Sequence, residues 1–376
     1  MKILATAKER GSANAIAPLV VELRKRGHTI TVYATGNAAE AAGFASVGYE
    51  TLIAEDIDYK KVVGGHDIIV TGTSGFQSPD GFFVRAGRQR HIPVISIFGD
   101  TNANYKERLS SQAEELPDAI AVMDETCVQT MKKELPAGLA EEAVKRSRVV
   151  GWTAFDHYAK MREEFSSERR IELLTYIGIN PENPAYVHFT QSAHPHTAYW
   201  AKSDRTFGKK VTEFLYEQGV TQFTFEAASD LRLKLAVKPH PGEEFTRNYT
   251  KELTDRHGFT FIPARACNTQ QLMLAAYSVT AGRSTCLTEA TLLDRNVGGI
   301  IPDMGEDWIY PFPALALGAI PYTQKWDDIQ TVLKQVTSQD ETVVHSLAEN
   351  RKKFSVDGKA SQRLADLIEE LGGNKK

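Results

Sequence analysis

The chain has 376 residues, of which 42% are hydrophobic and 24% charged, with a formal net charge of −4. That length points to two domains of ~150–200 residues each, with cores of ordinary size. The charge balance gives no basis for nucleic acid or an anionic membrane as the main partner, although local basic sites for phosphates remain open.

The cysteines Cys127, Cys267 and Cys286 are widely separated, which suggests neither a disulfide framework nor a zinc site. The chain runs from Met1 directly into a strand without a signal-peptide core, and no stretch approaches the ~20 apolar residues of a membrane span. A cytoplasmic protein is the expectation.

Lys2-Ile-Leu-Ala-Thr6 reads as a first strand, followed by the loop Ala7-Lys-Glu-Arg-Gly-Ser-Ala-Asn14 and a helix from Ala15 to Arg26. Gly27 stops that helix before a second strand, His28 to Ala34. This is a βαβ unit. Its loop lacks a G-x-G-x-x-G, so no nicotinamide or flavin dinucleotide is indicated. Lys8, Arg10, Ser12 and Asn14 are placed to contact a sugar or phosphate at the strand's end; a polar connection with no ligand fits the same residues.

Further strands are expected at Glu50 to Ile53, His66 to Thr71, Pro93 to Phe98 and Ala119 to Met123. The polar run Gly72 to Gly81 and the helix Phe82 to Arg90 separate the second and third of these. Asp100 leaves a buried strand at the expected ligand edge and is the acid/base candidate of this half; capping of the next element is the alternative role. Strands alternating with helices argue a doubly wound parallel sheet.

Residues 156–184 are expected to link a domain of residues 1–155 to a second of 185–345, with C-terminal helices in 346–376. Ala185 to Thr190 restarts the strand pattern and opens into Gln191-Ser-Ala-His-Pro-His-Thr197. Ser192 and His194 are candidates there for phosphate; a metal is not expected, because no third ligand accompanies the two histidines. After a helix from Phe207 to Gln218, the strand Leu233 to Val237 ends in Lys238-Pro-His-Pro-Gly-Glu-Glu244. The prolines are expected to fix the backbone and hold Lys238 and His240 outward, a cation and an imidazole suited to a diphosphate leaving group.

The last strand–loop–helix, Tyr277 to Leu293, carries Gly282, Arg283, Ser284 and Thr285 in its loop and Glu289 one turn into the helix. Small residues admit a ligand to the backbone, and the unpaired amides of a first helical turn favour an anion. The Glu289 carboxylate suits paired hydroxyls such as those of a ribose. An ordinary turn with a solvated Glu289 is the plain alternative.

The order of these motifs resembles the GT-B superfamily of nucleotide-sugar glycosyltransferases and non-hydrolysing UDP-N-acetylglucosamine 2-epimerases. Ala15-Ile-Ala-Pro-Leu-Val20 looks like the first helix of the epimerases, and Val150-Gly-Trp-Thr-Ala-Phe-Asp156 like the segment where their chain crosses between domains. Gly282-Arg-Ser-Thr-Cys-Leu-Thr-Glu289 is similar to a nucleotide-binding segment, and Lys238-Pro-His-Pro241 to a motif of surface-polysaccharide transferases. The resemblance implies an α/β chain of two Rossmann-like domains facing across a cleft, the acceptor on the first and the nucleotide on the second. Ser284 and Thr285 would line the diphosphate, and Glu289 would hold the ribose. It departs at Lys8-Glu-Arg-Gly-Ser12, where the epimerases carry Gly-Thr-Arg-Pro-Glu, and at Gln191-Ser-Ala-His-Pro-His196, where they carry His-Arg-Arg-Glu-Asn.

The leading expectation is therefore a glycosyltransferase, with Asp100 as base and Lys238, His240 and Arg283 at the leaving group. The nucleotide sugar is a substrate, and no cofactor is expected. An epimerase or hydrolase, and a non-catalytic binding protein, are the alternatives. The acceptor is unspecified, and a homodimer is open.

Overall fold

The computed structural model of the chain describes residues 1–53, 56–98, 104–190, 206–240, 247–282, 284–303, 312–354 and 356–373. It divides into two compact units, residues 1–159 with 356–376, and residues 160–355.

The first unit is built on seven strands: β1 Lys2–Ala7, β2 Thr29–Ala34, β3 Glu50–Thr51, β4 Ile68–Thr71, β5 Val94–Ile97, β6 Ala119–Val122 and β7 Ser147–Val149. Their order is β3-β2-β1-β4-β5-β6-β7, and each pairing is parallel. β4 and β5 are buried along their full length, as expected of parallel strands covered on both faces. The helix Arg10–Lys25 packs Ile16, Leu19, Val20 and Leu23 onto β1 and its neighbours. Each fully buried side chain of this kind contributes ~1.5–3 kcal/mol of transfer free energy.

The final helix, Ala360–Gly373, adds Leu364, Leu367 and Ile368 to this same core, with Leu371 against it. It is tied down where Arg26 meets Asp366 at 2.6 Å and Glu369 at 3.0 Å. The helix Glu341–Arg351 falls instead in the second unit, so the residues expected to form one C-terminal helical segment divide between the two.

The second unit carries β8 Tyr186–Phe189, β9 Leu235–Lys238, β10 Thr260–Phe261, β11 Ser278–Ala281, β12 Asn296–Ile300 and β13 Tyr322–Thr323. The order β10-β9-β8-β11-β12-β13, all parallel, repeats the first sheet's pattern. Both sheets reverse direction of growth once, between β1 and β4 and between β8 and β11. In such sheets, ligands bind beyond the carboxyl ends of the strands at that reversal.

Two boundaries differ from expectation in ways that matter. The first helix begins at Arg10 rather than Ala15, so the connection after β1 is only Lys8 and Glu9. The helix expected to stop at Gln218 extends over Thr206–Asp230, passing Gly219. A Cβ on Gly219 would stand 3.3 Å from the Trp326 ring, so this glycine admits a packed indole rather than ending the helix. Among the described residues, no helix is long and apolar enough to cross a membrane.

Candidate functional site

The carboxyl edge of the second sheet opens into a cavity of about 520 Å³. Phe189 and Thr190 continue β8 into it, Lys238, Pro239 and His240 close β9, and Ser284, Thr285, Cys286 and Glu289 come from the turn and helix after β11. Asn268, Thr269 and Gln270 start the helix Thr269–Ala275, whose N-cap Asn268 accepts from the Gln271 amide at 3.0 Å. Cys267 and Phe312 complete the lining. The volume falls within the usual range of small-molecule pockets, ~300–1,000 Å³.

Glu289 is fixed on both oxygens. Its Oε2 accepts from Gln270 Nε2 at 2.8 Å and its Oε1 from Thr285 Oγ1 at 3.4 Å. The carboxylate is half-buried on the pocket wall rather than freely solvated. Each oxygen has a second lone pair left for a ligand hydroxyl.

Lys238 does not point outward, contrary to the sequence-based expectation. It is the last residue of β9, only 2% exposed, and its Nζ donates to the Ala264 carbonyl. Burial lowers its pKa from the ordinary lysine value, while the nearby Cys267 and Cys286 thiols act in the opposite direction. Burial likewise pushes the Cys286 thiol up to about 11, which keeps it protonated at neutral pH and a weak nucleophile. His240 lines the cavity half-buried.

The turn after β11 also differs from expectation. The amide of Ser284 donates to Gly282 O at 2.9 Å, that of Cys286 to Ser284 Oγ at 3.3 Å, and that of Leu287 to Ser284 O at 3.1 Å. Three amides are thus engaged inside the turn, so side chains rather than a bare helical turn carry the polar character of this wall. Gly282 and Ser284 are buried and Thr285 is exposed.

At the first unit's sheet edge the described candidate residues are engaged locally. Arg10 pairs with Glu40, and Asn14 Oδ1 accepts from the Gly43 amide at 3.2 Å, so both expected loop ligands are helical residues engaged in local contacts. Ser12 is 7% exposed and packs over Gly72, where a Cβ would meet its Oγ at 2.6 Å and Asp80 Oδ2 at 3.1 Å. Asp80, in the first turn of the helix Pro79–Gln89, is 1% exposed and accepts from the Ser74 amide at 2.9 Å. Burial raises its pKa, opposed by the Ser74 hydroxyl and amide, reinforced by Glu9, and opposed by Thr71.

Asp100, Ser192, His194 and Arg283 lie outside the described residues. The lining residues that sequence reasoning did not assign to the site are Phe189, Thr190, Pro239, Cys267, Asn268, Thr269, Gln270, Cys286 and Phe312. Asn268-Thr-Gln carried a usable signal, an N-cap at the start of a helix following a short strand. Among the described residues, no group of three or more His, Cys, Asp or Glu is placed to hold a metal ion.

Two parallel sheets in the same doubly wound order define the GT-B fold, and solved structures of that fold match the chain over nearly its whole length. The UDP-GlcNAc 2-epimerase from Neisseria meningitidis bound to UDP-GlcNAc is similar at 15% identity and TM-score 0.66, covering 98% of this chain and 100% of its own. MurG from Acinetobacter baumannii matches at 12% and 0.61, over 98% and 99%. A glycosyltransferase from Rickettsia africae matches at 9% and 0.60, over 100% and 99%. No family model matches the chain, and no curated protein matches it. At these identities the likeness establishes the fold.

Proposed function

We propose that the chain is a glycosyltransferase that moves a sugar from a nucleotide-diphosphate sugar to an acceptor hydroxyl, in surface-polysaccharide or glycoconjugate synthesis. The observation that carries this reading is the cavity at the second sheet's reversal. It sets Lys238 and His240 near one strand end and a Glu289 carboxylate, held by Gln270 and Thr285, near the next. Glu289 takes the ribose hydroxyls; Ser284 and Thr285 take the diphosphate; His240 and Arg283 offset its charge, while Lys238 is held inward by the Ala264 carbonyl. In the transfer, the acceptor oxygen bonds to the anomeric carbon as the bond to the diphosphate oxygen breaks. The diphosphate leaves with the electron pair, and the acceptor proton passes to a base, a role we assign to Asp100. Donors fixed in advance against the leaving charge lower the barrier without reorganising.

A second reading, a nucleotide-sugar epimerase, is favoured by the Neisseria likeness, since that structure holds UDP-GlcNAc. The first experiment is a thermal-shift screen against UDP, GDP, CDP, CMP and TDP, because binding to the native state raises the midpoint. A shift with one nucleotide, lost in Glu289→Ala, supports the pocket; no shift with any of them refutes it. Turnover of the matching nucleotide sugar without an acceptor would then favour the epimerase.

A further inference from the structure

Glu289 and the side chain that holds it stand on two helices anchored from below. The helix Cys286–Leu292 buries Leu287, Ala290 and Leu292, and the helix Thr269–Ala275 buries Leu272, Met273 and Leu274. At the start of the second, Asn268 Oδ1 accepts from the Gln271 amide at 3.0 Å and fixes the first turn, in which Gln270 lies. Gln270 Nε2 reaches Glu289 Oε2 at 2.8 Å, and both side chains line the cavity, half-buried. A carboxylate only accepts, so the Gln270 amide is oriented with its nitrogen towards Glu289.

The two bonds on Glu289 are unequal. Thr285 Oγ1 stands 3.4 Å from Oε1, on an exposed residue, where a hydrogen bond is weak. The Gln270 amide makes a short bond to a charged acceptor, the stronger kind. Its consequence for a ligand is geometric. A carboxylate that swings about its last torsion can follow a single hydroxyl. Two hydroxyls on neighbouring carbons need both oxygens held in one plane before the ligand arrives. Ordering a long side chain on binding lowers affinity about two- to tenfold, and a carboxylate already held by Gln270 avoids that loss.

We propose that Gln270 is a positioning residue that sets the cavity's preference for a ribonucleotide over the matching 2′-deoxyribonucleotide, acting through Glu289. This role presupposes the nucleotide reading of the cavity, and it narrows the donor class to nucleoside diphosphates that carry both ribose hydroxyls.

The test is calorimetric titration of the full chain with matched pairs: UDP and 2′-deoxy-UDP, GDP and 2′-deoxy-GDP, CDP and 2′-deoxy-CDP. Wild type is expected to bind the ribonucleotide of one pair about tenfold or more tightly than its deoxy partner. Gln270→Met keeps the length and bulk of the side chain and removes the donor. The ratio should then fall about severalfold, with most of the loss on the ribonucleotide and the unfolding midpoint of the free protein unchanged. In Glu289→Ala the ratio should be about one, and adding Gln270→Met should not move it further. Gln270→Ala takes the place of Gln270→Met if the latter does not fold. An equal loss for both members of the pair, or a wild-type ratio retained in the Gln270 variants, overturns the proposal and leaves the nucleotide reading standing. Equal binding of both members by wild type also overturns it. Wild type that binds none of these nucleotides overturns the nucleotide reading as well.

Discussion

The two sheets share one strand order and differ in what stands over the reversal. Over β1 and β4, Ser12 and Asp80 close on Gly72 and bury a carboxyl. Over β8 and β11, the equivalent space is a cavity of about 520 Å³ walled by Lys238, Ser284 and Glu289. Topology therefore designates two possible ligand edges, and the side chains described at each distinguish them. A doubly wound order alone is evidence of where to look, not of what binds.

The strongest way to break the pairing is to remove residues 359–376. The lost helix supplies Leu364, Ala365, Leu367 and Ile368 to the first core. At ~1.5–3 kcal/mol for each large side chain, that loss rivals a typical total stability of ~5–15 kcal/mol. Circular dichroism with limited proteolysis should show the first unit unfolded and a protected fragment from residues 160–355.

A smaller break is Gly72→Ala, whose methyl group meets the Ser12 side chain at 2.6 Å. Overpacking of this kind costs ~1–3 kcal/mol, measurable as a lower denaturant midpoint with the nucleotide response of the second unit retained. A loss of Glu289-dependent nucleotide binding in this variant would count against independent units.

Asp80→Asn sharpens the contrast by its pH dependence. Asp80 has a raised folded pKa, so its contribution is complete below the unfolded carboxylate value of ~3.9 and is lost as pH rises through the folded pKa. The asparagine variant should therefore gain stability relative to wild type as pH rises from ~4 towards neutrality, with a slope of at most ~1.4 kcal/mol per pH unit. A pH-independent difference in denaturation free energy would show that Asp80 is ionised in the fold.

The least effect is expected from Arg10→Ala, since the Arg10–Glu40 pair is well exposed. Such pairs contribute ~0–1 kcal/mol, and neither the unfolding midpoint nor nucleotide binding should change appreciably. A marked loss of donor or acceptor binding would restore Arg10 as a ligand residue.

Much of the architecture is legible because parallel strands buried on both faces read as continuous apolar runs, as at Ile68–Thr71 and Val94–Ile97. Helix starts are less legible: Arg10, Ser12 and Asn14 look like loop residues, and only the packing of Ser12 on Gly72 shows why the helix begins early. Glu289 stands out by its place after a small-residue turn, but Gln270, which holds it, lies 19 positions away. The inward turn of Lys238 depends on Ala264, brought close only by the tertiary fold.

The division of the chain also sets an order of events during synthesis. Residues 160–355 form one uninterrupted unit, whereas the first unit is completed only by residues after 355. Until Leu364 and Ile368 have left the ribosome, the apolar faces of β1 and the helix Arg10–Lys25 lack their final cover. Residues 1–159 are thus made before their unit can be completed, and the nascent first unit depends on protection from aggregation for longer than the uninterrupted second.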